Sequence, residues 1–175
     1  MNILITGGAG YIGSHTVRQL QKAGYNPIVL DNLVNGHEKV VKNILKVPLI
    51  VGNVGDKNLL DSILIGDHPS TNNKKIDGII HFAAFAYVGE SISEPLKYFK
   101  NNIVESLNIL ESIINHKKNF NRNIPIVFSS TCATFGLIKK LPITEDSEQN
   151  PINPYGQSKL VIEKFLNEFG KAYGL

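Results

Sequence analysis

The chain has 175 residues, 42% hydrophobic and 19% charged, the composition of a globular protein and not of a disordered one. Eighteen Lys and Arg against fifteen Asp and Glu give +3, scattered along the chain, too mild and too dispersed for a nucleic-acid partner. One cysteine excludes a disulfide scaffold or a zinc cluster and fits a reducing cytoplasm, and no apolar run is long enough for a membrane helix.

Met1 opens directly onto a β-branched run, Asn2–Thr6, which reads as a first strand and not as a signal peptide. Glycines follow, then a helix over Tyr11–Ala23, with Gly24 where a C-cap belongs. Pro27–Leu30 is a second strand, closed by Asp31. His37–Leu45 reads as a short helix, Pro48–Val51 as a third strand and Lys57–Ile65 as another short helix. Asp67–Lys75 is polar and reads as a loop tolerant of length change.

Asp77–Phe82 is a fourth strand. A long helix is predicted from about Glu94 to Lys117, with apolar residues at Ile103, Leu107, Leu110 and Ile114, near the 3.6 period. Pro125–Phe128 is a fifth strand, and the stretch from Cys132 to Ile152 is irregular. A last helix runs from Tyr155 to about Tyr173, capped by Asn153 with Pro154 in its first turn. Near-continuous apolar strands alternating with helices predict an α/β, doubly wound parallel sheet of the Rossmann type. Such a sheet calls for at least one more strand after the last helix. Residues 1–175 are therefore expected to be one domain, incomplete at its C-terminus.

Gly7, Gly10 and Gly13 stand three apart, after the first strand and at the opening of the first helix. Small residues there permit a tight turn and close approach of a pyrophosphate to unpaired helix N–H groups. Asp31 ends the second strand 18 residues past Gly13. Its carboxylate can accept from both ribose hydroxyls and would repel a 2′-phosphate, and no Arg follows it. This favours NAD over NADP.

Tyr155 and Lys159 are i and i+4 and share one helix face. An ammonium beside a phenol favours the phenolate, a base of use at neutral pH. Taken alone that pair reads as a solvated helix face. Ser129, Ser130 and Thr131 put hydroxyls at the carboxyl end of the fifth strand, the binding edge of such a sheet. The three features in this order are more specific than any one. Cys132 has no motif of its own and reads as a small buried residue. His81, at a strand end, reads as structural or near a cofactor.

These residues resemble the extended short-chain dehydrogenase/reductases, and among them the sugar-nucleotide 4-epimerases. GGAGYIGSH at Gly7–His15, DNLVNG at Asp31–Gly36, HFAAFAYVGES at His81–Ser91, NN at Asn101–Asn102, SSTCATFG at Ser129–Gly136 and PINPYGQSK at Pro151–Lys159 carry the likeness. It is greatest to the UDP-glucose 4-epimerases, with the UDP-pentose 4-epimerases as an alternative. The resemblance implies Tyr155 as the base for the sugar 4-OH, Thr131 as the partner of the 4-oxygen, and Lys159 on the nicotinamide ribose. Those three would be catalytic, with Thr131 and Tyr155 also binding substrate.

It implies NAD held by Gly7, Gly10, Tyr11, Ile12, Gly13, Asp31, Asn32, Asn35, Gly36, Asn53, Val54, Phe82, Ala83, Ala84, Ala86, Asn101 and Ser129, together with Tyr155 and Lys159. No metal is implied. Asn53 stands where the family has Asp, and Ala86 where many members have Lys. Sugar-nucleotide 4,6-dehydratases need an Asp-Glu pair after the Thr, and here Cys132-Ala133 follow Thr131. The family is about twice this length, so a separate substrate domain holding most of the UDP-sugar site is expected outside residues 1–175. The expected protein is an NAD-dependent UDP-sugar 4-epimerase. A shortened, non-catalytic NAD-binding remnant and complementation by a second polypeptide stay open. The resemblance also implies a homodimer through helices about 94–117 and 155–173, with no membrane partner.

Overall fold

The computed structural model describes residues 1–138 and 141–175. Five strands form one sheet: β1 Asn2–Thr6, β2 Asn26–Asp31, β3 Leu49–Val51, β4 Gly78–His81 and β5 Ile126–Phe128. Their order is β3-β2-β1-β4-β5 and every pairing is parallel. Among the described residues six α-helices accompany them: α1 Tyr11–Lys22, α2 Lys57–Ile65, α3 Val88–Ser93, α4 Pro95–Tyr98, α5 Ser106–Phe120 and α6 Pro154–Tyr173.

The chain divides into two compact units. The first, residues 1–83, 108–129 and 175, holds the sheet. Its strands are apolar on both faces because both faces are covered. Leu4, Ile28, Leu30, Ile50 and Ile79 point to one side, where they join Leu60, Ile63 and Leu64 of α2 and Ile109 and Ile113 of α5. Ile3, Ile5 and Val29 point to the other, against Val17 of α1 and Val41 and Leu45. This is the period-2 alternation of a strand, with a separate core on each face. Strand order reverses between β1 and β4, and ligands of such sheets bind beyond the carboxyl ends of the strands at that point.

The second unit, residues 84–107 and 130–174, is α3, α4, the start of α5, α6 and the irregular segment before α6. Asn153 caps α6 by accepting the Gly156 N–H at 2.8 Å, and Pro154 fills its first position.

Several expectations are corrected. The predicted helix over 94–117 is continuous from Pro95 to Phe120, but Phe99–Glu105 is π-helical. The wider turn shifts the phase, so Ile103 and Leu107 are only half-buried while Asn102 and Ser106 are buried. The helix expected over His37–Leu45 is mainly a π-helical turn, Val40–Leu45. The segment Asp67–Lys75 contains a 3-10 turn, Pro69–Thr71, anchored by buried Thr71, whose hydroxyl faces the carbonyls of Gly66 (2.7 Å) and His68 (2.6 Å). Helix α3 was not expected. Cys132 is exposed, because it opens a single 3-10 turn, Cys132–Thr134, at the surface of the second unit.

Candidate functional site

In the first unit the glycine loop lies at the strand-order reversal. Gly7 has φ +70°, and a Cβ there would stand 2.6 Å from the Ala83 backbone nitrogen, just after β4. A Cβ on Gly13 would stand 2.2 Å from the Gly7 carbonyl oxygen. Both positions therefore require glycine for the fold itself. Gly10 differs: its Cβ would meet only the Gly7 oxygen, at 3.3 Å. Gly10 opens α1 with no side-chain cap, so the helix start keeps its N–H groups and dipole for an anion. Tyr11 and Ile12 are exposed at that start.

Asp31 is buried at the end of β2. Its Oδ2 accepts the Ala9 N–H at 2.9 Å and its Oδ1 the Leu33 N–H at 2.8 Å. Asp31 thus ties the glycine loop to the loop after β2, which spacing alone did not reveal. A carboxylate has about four acceptor positions, so two remain for ribose hydroxyls. Gly36 completes this corner: a Cβ there would stand 2.7 Å from Asp31 Oδ1 and 2.8 Å from Ala9 Cβ. Asn32 accepts the Val34 N–H in a turn, and Asn35 is in the same loop.

Asn53 Oδ1 accepts the Gly55 N–H at 2.7 Å, while the Val54 side chain belongs to the core. Val54 therefore has only its backbone to offer a ligand. Phe82 donates its N–H to the Thr6 carbonyl at 3.0 Å. The Thr6 hydroxyl faces His81 Nδ1 at 2.6 Å and the Ala83 N–H at 3.4 Å, so buried His81 braces the crevice behind the site residues. Ser129 closes this unit's edge, its N–H donated to the His81 carbonyl at 3.1 Å.

In the second unit α6 carries Tyr155 and Lys159. Lys159 is 4% exposed, and burial lowers its ammonium to about 8. Tyr155 is half-buried and meets the Tyr98 ring edge-on, centroids 6.5 Å apart. The two tyrosines differ in chemistry. Burial, with a hydrogen bond from Tyr98 to Glu90, pushes the Tyr98 phenol up to about 12. Tyr98 is a fixed donor; Tyr155 has no such lock.

Asn102 is the buried hub of this unit. Its Nδ2 donates to the Phe85 carbonyl and to Ser158 Oγ, both at 3.0 Å, and its Oδ1 accepts the Phe85 N–H at 2.9 Å. Asn101 donates to the same Oδ1 at 2.9 Å. Asn102 therefore fixes the segment Ala84–Ala86 to α6, with Ala84 half-buried and Ala86 exposed. The sequence motif includes both asparagines, but only Asn101 is assigned there to the cofactor; the structural role falls to Asn102. Thr131 caps its turn, its Oγ1 accepting the Ala133 N–H at 3.2 Å. A Cβ on Gly156 would stand 2.4 Å from the Ala133 carbonyl oxygen, so the residue after Tyr155 lets α6 approach this turn.

A parallel sheet ordered β3-β2-β1-β4-β5, with a glycine loop and an acidic β2 end at its reversal, defines the doubly wound dinucleotide-binding class. The model for the GDP-mannose 4,6 dehydratase family matches residues 4–175, and the chain belongs to that family. It is 46% identical over 177 residues to a UDP-glucose 4-epimerase of Lacticaseibacillus casei and 43% identical over 175 residues to one of Lactobacillus helveticus. Each alignment takes in 100% of this chain and 49% of the relative. The crystal structure of UDP-glucose 4-epimerase from Brucella ovis in complex with NAD superposes with a TM-score of 0.87 at 40% identity, over 99% of this chain and 49% of that one. The chain thus spans about half the length of the curated relatives it matches.

Proposed function

We propose that residues 1–175 are the cofactor-binding portion of an NAD-dependent UDP-sugar 4-epimerase of the UDP-glucose 4-epimerase type, which inverts the sugar at C4. The observation that carries this is Lys159, a buried cation one helical turn from Tyr155, on a helix whose Gly156 admits the Thr131 turn. The residues present fit NAD: an uncapped helix start behind Gly10, and a buried carboxylate at Asp31 with acceptor positions left. NAD held there would supply reversible hydride acceptance at the sugar C4.

The chain's own residues do the rest. Tyr155 takes the proton of the 4-OH. Lys159, one helical turn along α6, holds the nicotinamide ribose. Thr131 accepts the Ala133 N–H through its oxygen, which leaves its own proton for the sugar 4-oxygen as charge develops there. Gly7, Gly10 and Gly13, with the backbones of Tyr11 and Ile12, receive the pyrophosphate. Asp31, Asn32, Asn35 and Gly36 hold the adenosine ribose side, and Asn53 and Val54 line the adenine side. Phe82, Ala83, Ala84, Ala86, Asn101 and Ser129 border the nicotinamide end. A dehydratase activity, the one in the family model's name, is disfavoured: Cys132 and Ala133 follow Thr131, and neither supplies the carboxyl group of the Asp-Glu pair.

The proposed partners are a UDP-sugar and a second copy of the chain, through helices about 94–117 and 155–173. A cytoplasmic location is proposed with them; no helix among the described residues is long and apolar enough to cross a membrane. The test is nucleotide binding, by assay of nucleotide released on denaturation and by calorimetry with stripped protein. Micromolar NAD binding, abolished by Gly10→Val in a chain that still folds, is expected; turnover of UDP-galactose is then sought with a second polypeptide that supplies the sugar site. A folded chain that binds no NAD would overturn the proposal.

A further inference from the structure

Chemistry at Thr131 depends on where its hydroxyl sits, and the element that carries it is a single turn, Cys132–Thr134. Ser130 and Cys132 on either side of Thr131 are exposed, so little apolar burial holds the turn. Polar contacts hold it instead. One oxygen of the Glu163 carboxylate accepts from the Ser130 hydroxyl. The other accepts from Gln149 Nε2 at 2.7 Å. The same amide nitrogen reaches Thr134 Oγ1 at 3.3 Å, and the Thr134 hydroxyl donates to the Thr131 carbonyl at 2.9 Å. The circuit runs from Ser130, before Thr131, through Glu163 and Gln149 to Thr134 and back to the Thr131 backbone. On the opposite side the turn rests against α6 at Gly156, where any Cβ would strike the Ala133 carbonyl.

Glu163 lies four residues beyond Lys159 and eight beyond Tyr155, on the same face of α6. Both of its partners offer protons, so the bridging group must accept at two oxygens. A carboxylate does this and a carboxamide of the same shape does not, because it presents N–H groups to one donor. We propose that Glu163 is a positioning residue, its carboxylate clamping the Ser130–Thr134 turn to α6 and so setting where the Thr131 hydroxyl stands relative to Tyr155. This rests on the reading of Thr131 and Tyr155 as the reacting pair. Glu163 itself touches neither sugar nor cofactor in this scheme.

The experiment compares the 175-residue chain with Glu163→Gln and with the double variant Gln149→Glu/Glu163→Gln. The double variant exchanges donor and acceptor between the two positions and leaves a carboxamide oxygen to accept from Ser130, but it gives up the Gln149 donor to Thr134. Three quantities are read: amide hydrogen exchange across residues 130–135, NAD affinity, and kcat and KM with UDP-galactose. In Glu163→Gln the Ala133, Thr134 and Phe135 amides, bonded within the turn, are expected to exchange about tenfold faster, as loss of a charge-assisted hydrogen bond implies. NAD affinity is expected to stay within about twofold, and kcat to fall about tenfold or more at nearly constant KM, the signature of a misplaced group. The double variant, which restores the Ser130 and 149–163 bonds but not the one from residue 149 to Thr134, is expected to recover part of both losses. Unchanged exchange across 130–135 in Glu163→Gln, or a double variant as impaired as the single one, overturns the proposal. If the parent chain binds no NAD, the epimerase reading fails for this chain; if it binds NAD without turning over UDP-galactose, it acts as the cofactor-binding portion alone. Exchange and its rescue then decide the clamp, since neither needs turnover.

Discussion

Lys159 keeps a charge in a place that disfavours charge. Burial holds its ammonium near 8 against the ordinary 10.5. The folded value lies below the unfolded one, so between pH 8 and 10.5 the unfolded chain binds more protons and stability rises with pH. Below pH 8 the burial costs about 3 kcal/mol for a displacement of that size. Lys159→Met is therefore expected to be more stable at pH 7 by about 1–3 kcal/mol. It is also expected to lose the rise between pH 8 and 10.5, both read from urea midpoints, and to lose turnover. A Met variant that is less stable at pH 7 would count against a functional reason for the buried charge. His116 shows the same sign at a lower pH. It is buried on α5, and its ring nitrogens and the nearby Ser112 hydroxyl have no hydrogen-bond partner among the described residues. Burial first, then the charges of Arg122 and Lys75, lower its pKa, while Asp61 opposes them. Stability is expected to fall as pH drops below about 6.5, where the unfolded chain begins to take up a proton. His116→Gln should flatten that slope, measured by denaturant unfolding between pH 7.5 and 5.

At the scale of elements, the π-helical stretch Phe99–Glu105 is where sequence pattern and structure part. It brings Asn102 to the buried side, where a hydropathy scan would not look for an amide, and Asn102 there satisfies both backbone groups of Phe85 and the Ser158 hydroxyl. Asn102→Ala strips a partner from the two part-buried backbone groups of Phe85 and from the buried Ser158 hydroxyl, and is expected to cost about 1–3 kcal/mol, with weakened NAD binding from loosening of Ala84–Ala86. Urea denaturation with and without NAD measures both. A cost under about 1 kcal/mol would remove Asn102 from its place as hub. Elements with a uniform pattern were legible: β1 is Asn2–Thr6 and α2 is Lys57–Ile65, each as its residues suggested. Asp56 caps α2 through the Leu59 N–H, which fixes where that helix starts. Helix α3 was missed because Val88–Ser93 is too short to show a period and opens without a capping side chain. The glycine spacing and Asp31 were legible because backbone geometry restricts residue choice there. The Asp31–Ala9 bond and the Glu163 bridge join residues 22 and 33 apart along the chain, and no local pattern records such pairs.

For the molecule as a whole, the quantity that binding changes is folding free energy. A ligand that binds only the folded chain stabilises it by about 2.7 kcal/mol at one hundred times its Kd. A domain of this length shifts its Tm by roughly 2–4 °C per kcal/mol, so saturating NAD is expected to raise Tm by about 5–10 °C. NADP should do much less. The buried Asp31 carboxylate repels a 2′-phosphate, and the two arginines, Arg18 in α1 and Arg122 before β5, are not in the loop that follows β2. The informative variant is Asp31→Asn. Alanine would free both the Ala9 and Leu33 N–H groups, whereas Asn removes the charge, keeps an acceptor oxygen for one of them and turns an N–H group toward the other, so its own loss of stability without nucleotide is read first. In Asp31→Asn the NAD shift should shrink and the NADP shift should grow toward it, read by thermal unfolding at matched nucleotide concentration. Equal shifts from the two nucleotides in the parent chain would remove the charge of Asp31 as the source of selection, and with it the argument that the β2 end is a ribose-binding site.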